Sequence, residues 1–131
     1  MVDDPKLKYL DMLQAVITRM AGNQFTCRTW SVALGTAVIG YAASKDGKPA
    51  MAILALLPAL CFWVQDAYYL GLERIFRKKF TDAVTAGDKM TCFDFAIAPK
   101  PGDFIEAFIR PAAVLVHLPV VLLAIFVWSH A

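Results

Sequence analysis

Charge is scarce in this chain, and it is missing in blocks. Lys, Arg, Asp and Glu make up 18% of the 131 residues and hydrophobic types 59%, against roughly 25% and 45–50% in an ordinary soluble domain. Thr29 to Ser44 and Pro111 to Ser129 carry none of the four, and Pro49 to Leu72 carries Asp66 alone. Other absences exclude whole classes of chemistry. Cys27, Cys61 and Cys92 form no C-x-x-C pair and have no His at metal-ligand spacing, so neither a zinc site nor a disulfide framework is expected. The sequence has no H-E-x-x-H, no Ser/His/Asp order, no glycine-rich phosphate loop and no paired carboxylates at a plausible catalytic separation. No catalytic residue, metal or cofactor is therefore assigned, and a non-enzymatic role is expected. A net charge of +2 is too small to argue for nucleic acid as a partner.

The charge-free windows are what the chain has in place of a site. A spanning helix needs about 20 apolar residues, with a range of about 17–25. Pro49–Leu72 and Pro111–Ser129 meet that, while Thr29–Ser44 is short and leans on its flanks. The basic residues orient the spans. Lys6, Lys8, Arg19 and Arg28 precede the first window, only Lys45 and Lys48 separate the first two, and seven, from Arg74 to Arg110, separate the second and third. Basic residues mark the cytoplasmic side. The N-terminus and residues 73–110 are thus expected in the cytoplasm, and the 45–48 turn and the C-terminus outside. The first thirty residues lack the basic-then-apolar order of a cleaved signal.

The periodicity of residues 6–21 puts Leu7, Leu10, Leu13 (or Gln14), Ile17 and Met20 on one helical stripe. Asp3 or Asp4 is expected to cap this amphipathic helix with Pro5 at its first position, and Gly22-Asn23 to end it. The small residues of the first span, among them Gly35 and Gly40, suit close helix packing, here between copies. Lys45-Asp46-Gly47-Lys48-Pro49 reads as a tight turn making a hairpin of spans one and two. Pro58 is expected to kink the second helix. That helix runs without a break from apolar FWVQDAYYL into charged ERIFRKKF and stops at Gly87. Phe93, Phe95 and Ile97 alternate with Asp94 and Ala96, as in an extended, strand-like segment. Asp103 and Glu106 have the spacing of a capping box for a short helix at 103–109.

Asp66, Tyr69, Glu73 and Arg77 fall three, four and four residues apart, on one helical face. A carboxylate in an apolar helix is costly and calls for a partner or water. Asp66 lies about 26 Å along a helix crossing a core of about 30 Å, which puts it near the inner boundary at the depth of Arg28. Two roles stay open for it: a structural pair with Arg28, or a gating group on a hydrated path. Glu73 and Arg77 form an i,i+4 pair. Arg74, Lys78 and Lys79 lie off that face, either as headgroup anchors or as a basic ring able to hold a phosphate. His117 is either hydrogen-bonded between helices or part of a proton relay.

LQAVITRMAGNQF at 13–25, running into Trp30, and FWVQDAYYLGLERIFRKKF at 62–80 together resemble small bacterial membrane proteins of the SLATT-type effector class. Those proteins accompany nucleotide-sensing and anti-phage defence systems. The likeness covers about the first 85 residues and does not extend to the third span. It implies an oligomeric effector that permeabilises the inner membrane when triggered.

The expected fold is all-α: an integral membrane protein with three transmembrane helices, an N-terminal amphipathic helix and a cytoplasmic extension of the second span. Its segments are 1–24 (amphipathic helix), 25–86 (hairpin with extension), 87–110 (cytoplasmic loop and short helix) and 111–131 (third span). The expected function is an oligomeric inner-membrane pore or effector controlled through its cytoplasmic helices, with lipid and further copies of itself as partners. The rival is a non-conducting scaffold subunit that binds a soluble enzyme or sensor, and a small ion or solute transporter is third.

Overall fold

The computed structural model describes residues 4–131 and is all-helical. Helix α1 spans Pro5–Ala42, α2 Leu56–Ala86, α3 Pro101–Phe108 and α4 Pro111–Ser129. Short 3₁₀ helices at Pro49–Ala55 and Gly87–Lys89 flank α2. The helix running from Pro49 to Lys89 and helix α4 are both long and apolar enough to cross a membrane.

Helix α1 is one continuous rod of 38 residues, and no break occurs at Gly22-Asn23. A glycine inside a helix costs only about 1 kcal/mol. The buried stripe runs across it without interruption, through Tyr9, Leu13, Ile17, Gln24, Cys27, Ser31, Gly35, Ile39 and Ala42. Every contact along that stripe favours continuing the helix. The expected amphipathic helix and the expected first span are therefore one element rather than two. Leu13 and Ile17 of the expected face are buried, but at its start Tyr9 is buried in place of Leu7, which is 62% exposed. Asp4 caps the helix, its Oδ1 accepting from the Lys6 amide at 2.9 Å, whereas Asp3 lies outside the described residues.

The turn after α1 needs its glycine. A Cβ on Gly47 would stand 1.8 Å from the Tyr41 carbonyl oxygen. Pro58 falls in the first turn of α2, just after the 3₁₀ segment Pro49–Ala55, so it breaks no α-helical hydrogen bond. First-turn amides have no intrahelical partner to lose. Gly87 ends α2 at φ 53°, the positive region that glycine tolerates best.

Helices α1 and α2 pack antiparallel along their length, and α4 lies in the groove between them. His117, Val120 and Ala124 meet successively later turns of α1, at Ser31, Gly35 and Ile39. Helix α4 is thus parallel to α1 and antiparallel to α2. The seams are lined by small residues: Ala42, Ala52, Ala55, Ala59, Ala113 and Ala124 are fully buried. Side chains of that size let backbones approach closely. The outward faces are apolar instead, with Leu57 71%, Val64 60%, Leu115 74% and Phe126 58% exposed.

Beyond this three-helix part, the first half of α1 and the last half of α2 continue as a two-helix stalk. The loop at 90–100 folds back on it. No strand forms among the described residues. Phe93 takes a positive φ of 61°, yet the expected alternation persists after it, with Phe95 and Ile97 half-buried and Asp94 and Ala96 exposed. Phe93 and Phe95 both pack against the Tyr9 ring, with centroids 6.1 and 5.4 Å away. Helix α3 starts one turn earlier than its sequence pattern suggests. Pro101 takes the first position, and Asp103 is the third helical residue, its Oδ2 accepting from the Lys100 amide at 2.8 Å.

Candidate functional site

The stripe on α1, the Asp66 face of α2 and the buried face of α4 meet at one level of the bundle. Arg28 Nε donates to Asp66 Oδ2 at 2.8 Å. The same oxygen lies 3.0 Å from His117 Nε2, and His117 Nδ1 lies 2.8 Å from Ser31 Oγ. Asp66, His117 and Ser31 are all fully buried. Paired with Arg28, the Asp66 carboxylate only accepts. His117 therefore donates from Nε2, and in its neutral form it accepts the Ser31 hydroxyl proton at Nδ1. Trp63 closes this group from the side. Its ring stacks on His117 (5.9 Å, 14°) and on Phe108 (4.5 Å, 8°), and its Nε1 donates to the Phe108 carbonyl at 2.9 Å.

The group continues toward the stalk. Arg28 Nη2 donates to Gln24 Oε1 at 3.3 Å, Gln24 Nε2 donates to Glu73 Oε2, and Arg77 Nε donates to Glu73 Oε1 at 2.6 Å. Seven side chains form one unbroken path: Ser31, His117, Asp66, Arg28, Gln24, Glu73 and Arg77. It begins in the fully buried interior and ends at Arg77, whose side chain is 60% exposed. Along α2, Arg77 lies eleven positions beyond Asp66, or about 16 Å. Asp66 Oδ1 is the one buried side-chain polar atom without a partner among the described residues.

Of the residues singled out in the sequence, Arg28, Asp66, Glu73, Arg77 and His117 all lie on this path. Tyr69 does not. It packs edge-on against Tyr68 at 5.6 Å and lines a small cavity with Cys27 and Gln65. Gly35, expected on a seam between copies, is used inside the chain, because a Cβ there would meet Val120 Cγ1 at 2.3 Å. Gly40 is exposed, with open space around the position of its Cβ.

Sequence reasoning missed Ser31 and Gln24, as well as the role of Trp63. A signal for the first two is present: 24, 28 and 31 are spaced four and three apart, so they share the helical face of Arg28. Ser31, Asp66 and His117 are the residue types of a nucleophilic triad, although no catalytic motif surrounds any of them in the sequence. Their ring assignment is the reverse of that in serine hydrolases, where the nucleophile faces Nε2 and the acid Nδ1. Ser31 also has no exposed surface. The arrangement ties three helices together and presents no nucleophile to a substrate. No group of three or more metal-ligating side chains occurs among the described residues.

Compared with models of protein families, with curated proteins and with solved structures, the chain finds no match in any of the three.

Proposed function

We propose that this chain is a three-span integral membrane protein of the bacterial inner membrane. In this reading the stalk and the N-terminus are cytoplasmic, and the protein acts as an oligomeric pore-forming effector controlled through the stalk. The polar path from Arg77 to Ser31 carries the reading. Most of its energy depends on geometry, since a buried charge pair that loses a partner is strongly destabilising. A displacement of α1 against α2 in the stalk therefore reaches His117 on α4 through polar contacts that do not stretch gradually. Packed elements of this kind switch between discrete arrangements. The apolar belt supports membrane placement, because soluble monomers rarely expose contiguous apolar surface beyond a few hundred Å². Two of the spans are apolar over a full membrane thickness. The third is the outer half of α1, which shares their depth through its contacts with α4. The resemblance to SLATT-type proteins supports the effector class and a role in antiviral defence.

Reconstitution of the purified oligomer into dye-loaded vesicles tests this reading. The expected result is leakage in the wild type that changes when Glu73→Gln cuts the path at the stalk. A tight vesicle with fully assembled wild-type protein overturns it. That outcome favours the second reading, a non-conducting scaffold for a soluble partner, which the complete burial of Asp66, His117 and Ser31 supports, since none of the three reaches the surface of the bundle.

A further inference from the structure

Helix α3 lies across α2 where the apolar belt gives way to the basic stalk, and two cavities open along that crossing. The first holds about 330 Å³ and is lined by Val64, Tyr68, Phe104, Ile105 and Ile109, among others. That volume is at the lower end for small-molecule sites. Its walls are apolar yet outward-facing: Val64 is 60%, Ile105 65% and Ile109 66% exposed. The second, of about 200 Å³, lies further along the same face of α2, lined by Gly71, Arg74, Ile75, Lys78 and Asp103. Gly71 marks the join. A Cβ there would come within 2.8 Å of the Phe104 ring, so α3 is seated as close to α2 as the backbone permits.

We propose that the two cavities together form a site for one anionic phospholipid, with an acyl chain along Val64 and Ile105 and the headgroup phosphate at Lys78. The proposal rests on the membrane placement given above. Charge selects the headgroup. Glu106 is already shared between Arg74 at 3.1 Å and Arg110 at 2.9 Å, so its carboxylate is committed. Asp103 uses one oxygen on the Lys100 amide at 2.8 Å. Lys78 makes no ion pair among the described residues. Three cations face two carboxylates here, which leaves an ammonium available to a phosphate. An apolar groove continuous with this basic end fits a molecule with both parts. A free phosphate would leave the larger cavity unused.

Native mass spectrometry of the detergent-extracted protein, offered phosphatidylglycerol and phosphatidylcholine of equal chain length, tests the site. The wild type is expected to retain phosphatidylglycerol in preference. Lys78→Gln should lower that preference about fivefold, the factor expected for one basic side chain at an anionic surface. Val64→Trp, which fills the apolar cavity from an exposed position, should lower retention of both lipids. Excess glycerol phosphate should not displace the bound lipid. Equal retention of the two lipids by the wild type, or an unchanged preference in Lys78→Gln, overturns the proposal while leaving the membrane reading intact. Recovery of the protein in the soluble fraction without detergent overturns both.

Discussion

Both hydrogen bonds to Asp66 end on one oxygen: Oδ2 faces Arg28 and His117, while Oδ1 is buried and without a partner. The carboxylate is thus held by its charge partner more than by full hydrogen-bond satisfaction. Removing one member of such a pair is costly, about 3–5 kcal/mol, whereas replacing both with apolar groups is often neutral. Arg28 keeps a quarter of its side chain exposed, so Asp66→Ala belongs at the lower end, about 3 kcal/mol. Asp66→Leu combined with Arg28→Met should recover most of that loss in reversible unfolding from mixed micelles. A double variant as unstable as the sum of the singles would show that the two side chains are not energetically coupled. Ser31 and His117 permit a similar cycle. His117→Leu leaves the Ser31 hydroxyl unsatisfied at about 1–3 kcal/mol, and adding Ser31→Ala should cost less than the two separate changes together. Part of this site was legible in the sequence, because a lone carboxylate in an apolar run demands a cation at its own depth and Arg28 is placed there. Ser31 and Gln24 share the helical face of Arg28, but neutral polar side chains are common on any helix, and only the packing of α4 against Ser31 and of α2 against Gln24 shows that these two face inward.

The helices were easier to read than their boundaries. Apolar windows and the Gly87 stop gave α2 and α4, because length and periodicity are local properties. Gly22 and Pro58 misled for separate reasons: α2 supplies a continuous packing partner for α1, and Pro58 falls in the first turn of α2, where its missing N–H costs no intrahelical bond. The loop at 90–100 depends on tertiary contacts too, and it carries a pH dependence. Lys79 Nζ donates to Asp94 Oδ2 at 3.0 Å and the Ala96 amide to Oδ1 at 3.1 Å. Hydrogen bonds from Lys79 and then from the Ala96 amide hold the Asp94 carboxyl below its usual range. Asp88 is likewise lowered by its hydrogen bond to Lys6 at 2.7 Å. A carboxylate with a depressed folded pKa contributes above its unfolded value, about 3.9, and that contribution is lost as pH falls through the folded value. Tyr9, whose hydroxyl donates to the Asp94 carbonyl, is shifted the other way: burial raises it. Its contribution is full below about pH 10 and is lost as pH rises through the folded value. The loop should therefore stay closed on the stalk between about pH 4 and 10 and loosen outside that window. Amide exchange at Ala96, corrected for intrinsic rates, measures this directly. Asp94→Asn should open the loop at neutral pH, and protection unaltered in that variant would assign the closure to Phe93, Phe95 and the bonds to backbone carbonyls at Asp94 and Ala96.

At the scale of the whole molecule, orientation and assembly are separate questions with separate tests. In a cysteine-free background, Lys48→Cys and Lys89→Cys should label from opposite sides of the membrane, because the hairpin turn and the stalk end lie at opposite ends of α2. Equal labelling from outside would remove the three-span arrangement. Assembly turns on which face of α1 is still free once α4 is in place. Gly35 is no longer a candidate: Val120 Cγ1 occupies its Cβ direction, so Gly35→Leu must push α4 away and damage the single chain, whatever its oligomeric state. A smaller species in that variant would say nothing about contacts between copies. Gly40 differs in the one respect that matters, since the space where its Cβ would go is open. Leucine there fits the monomer without strain, and as a better helix former than glycine by about 0.8–1 kcal/mol it should stabilise α1. Only a neighbouring copy packed closely against that face would be displaced. Gly40→Leu is therefore expected to keep or raise monomer stability while shifting the detergent-solubilised assembly to a smaller mass. An unchanged mass with raised stability would mean that this face of α1 meets lipid, and the seam between copies would then have to use the exposed flanks of α2 or α4.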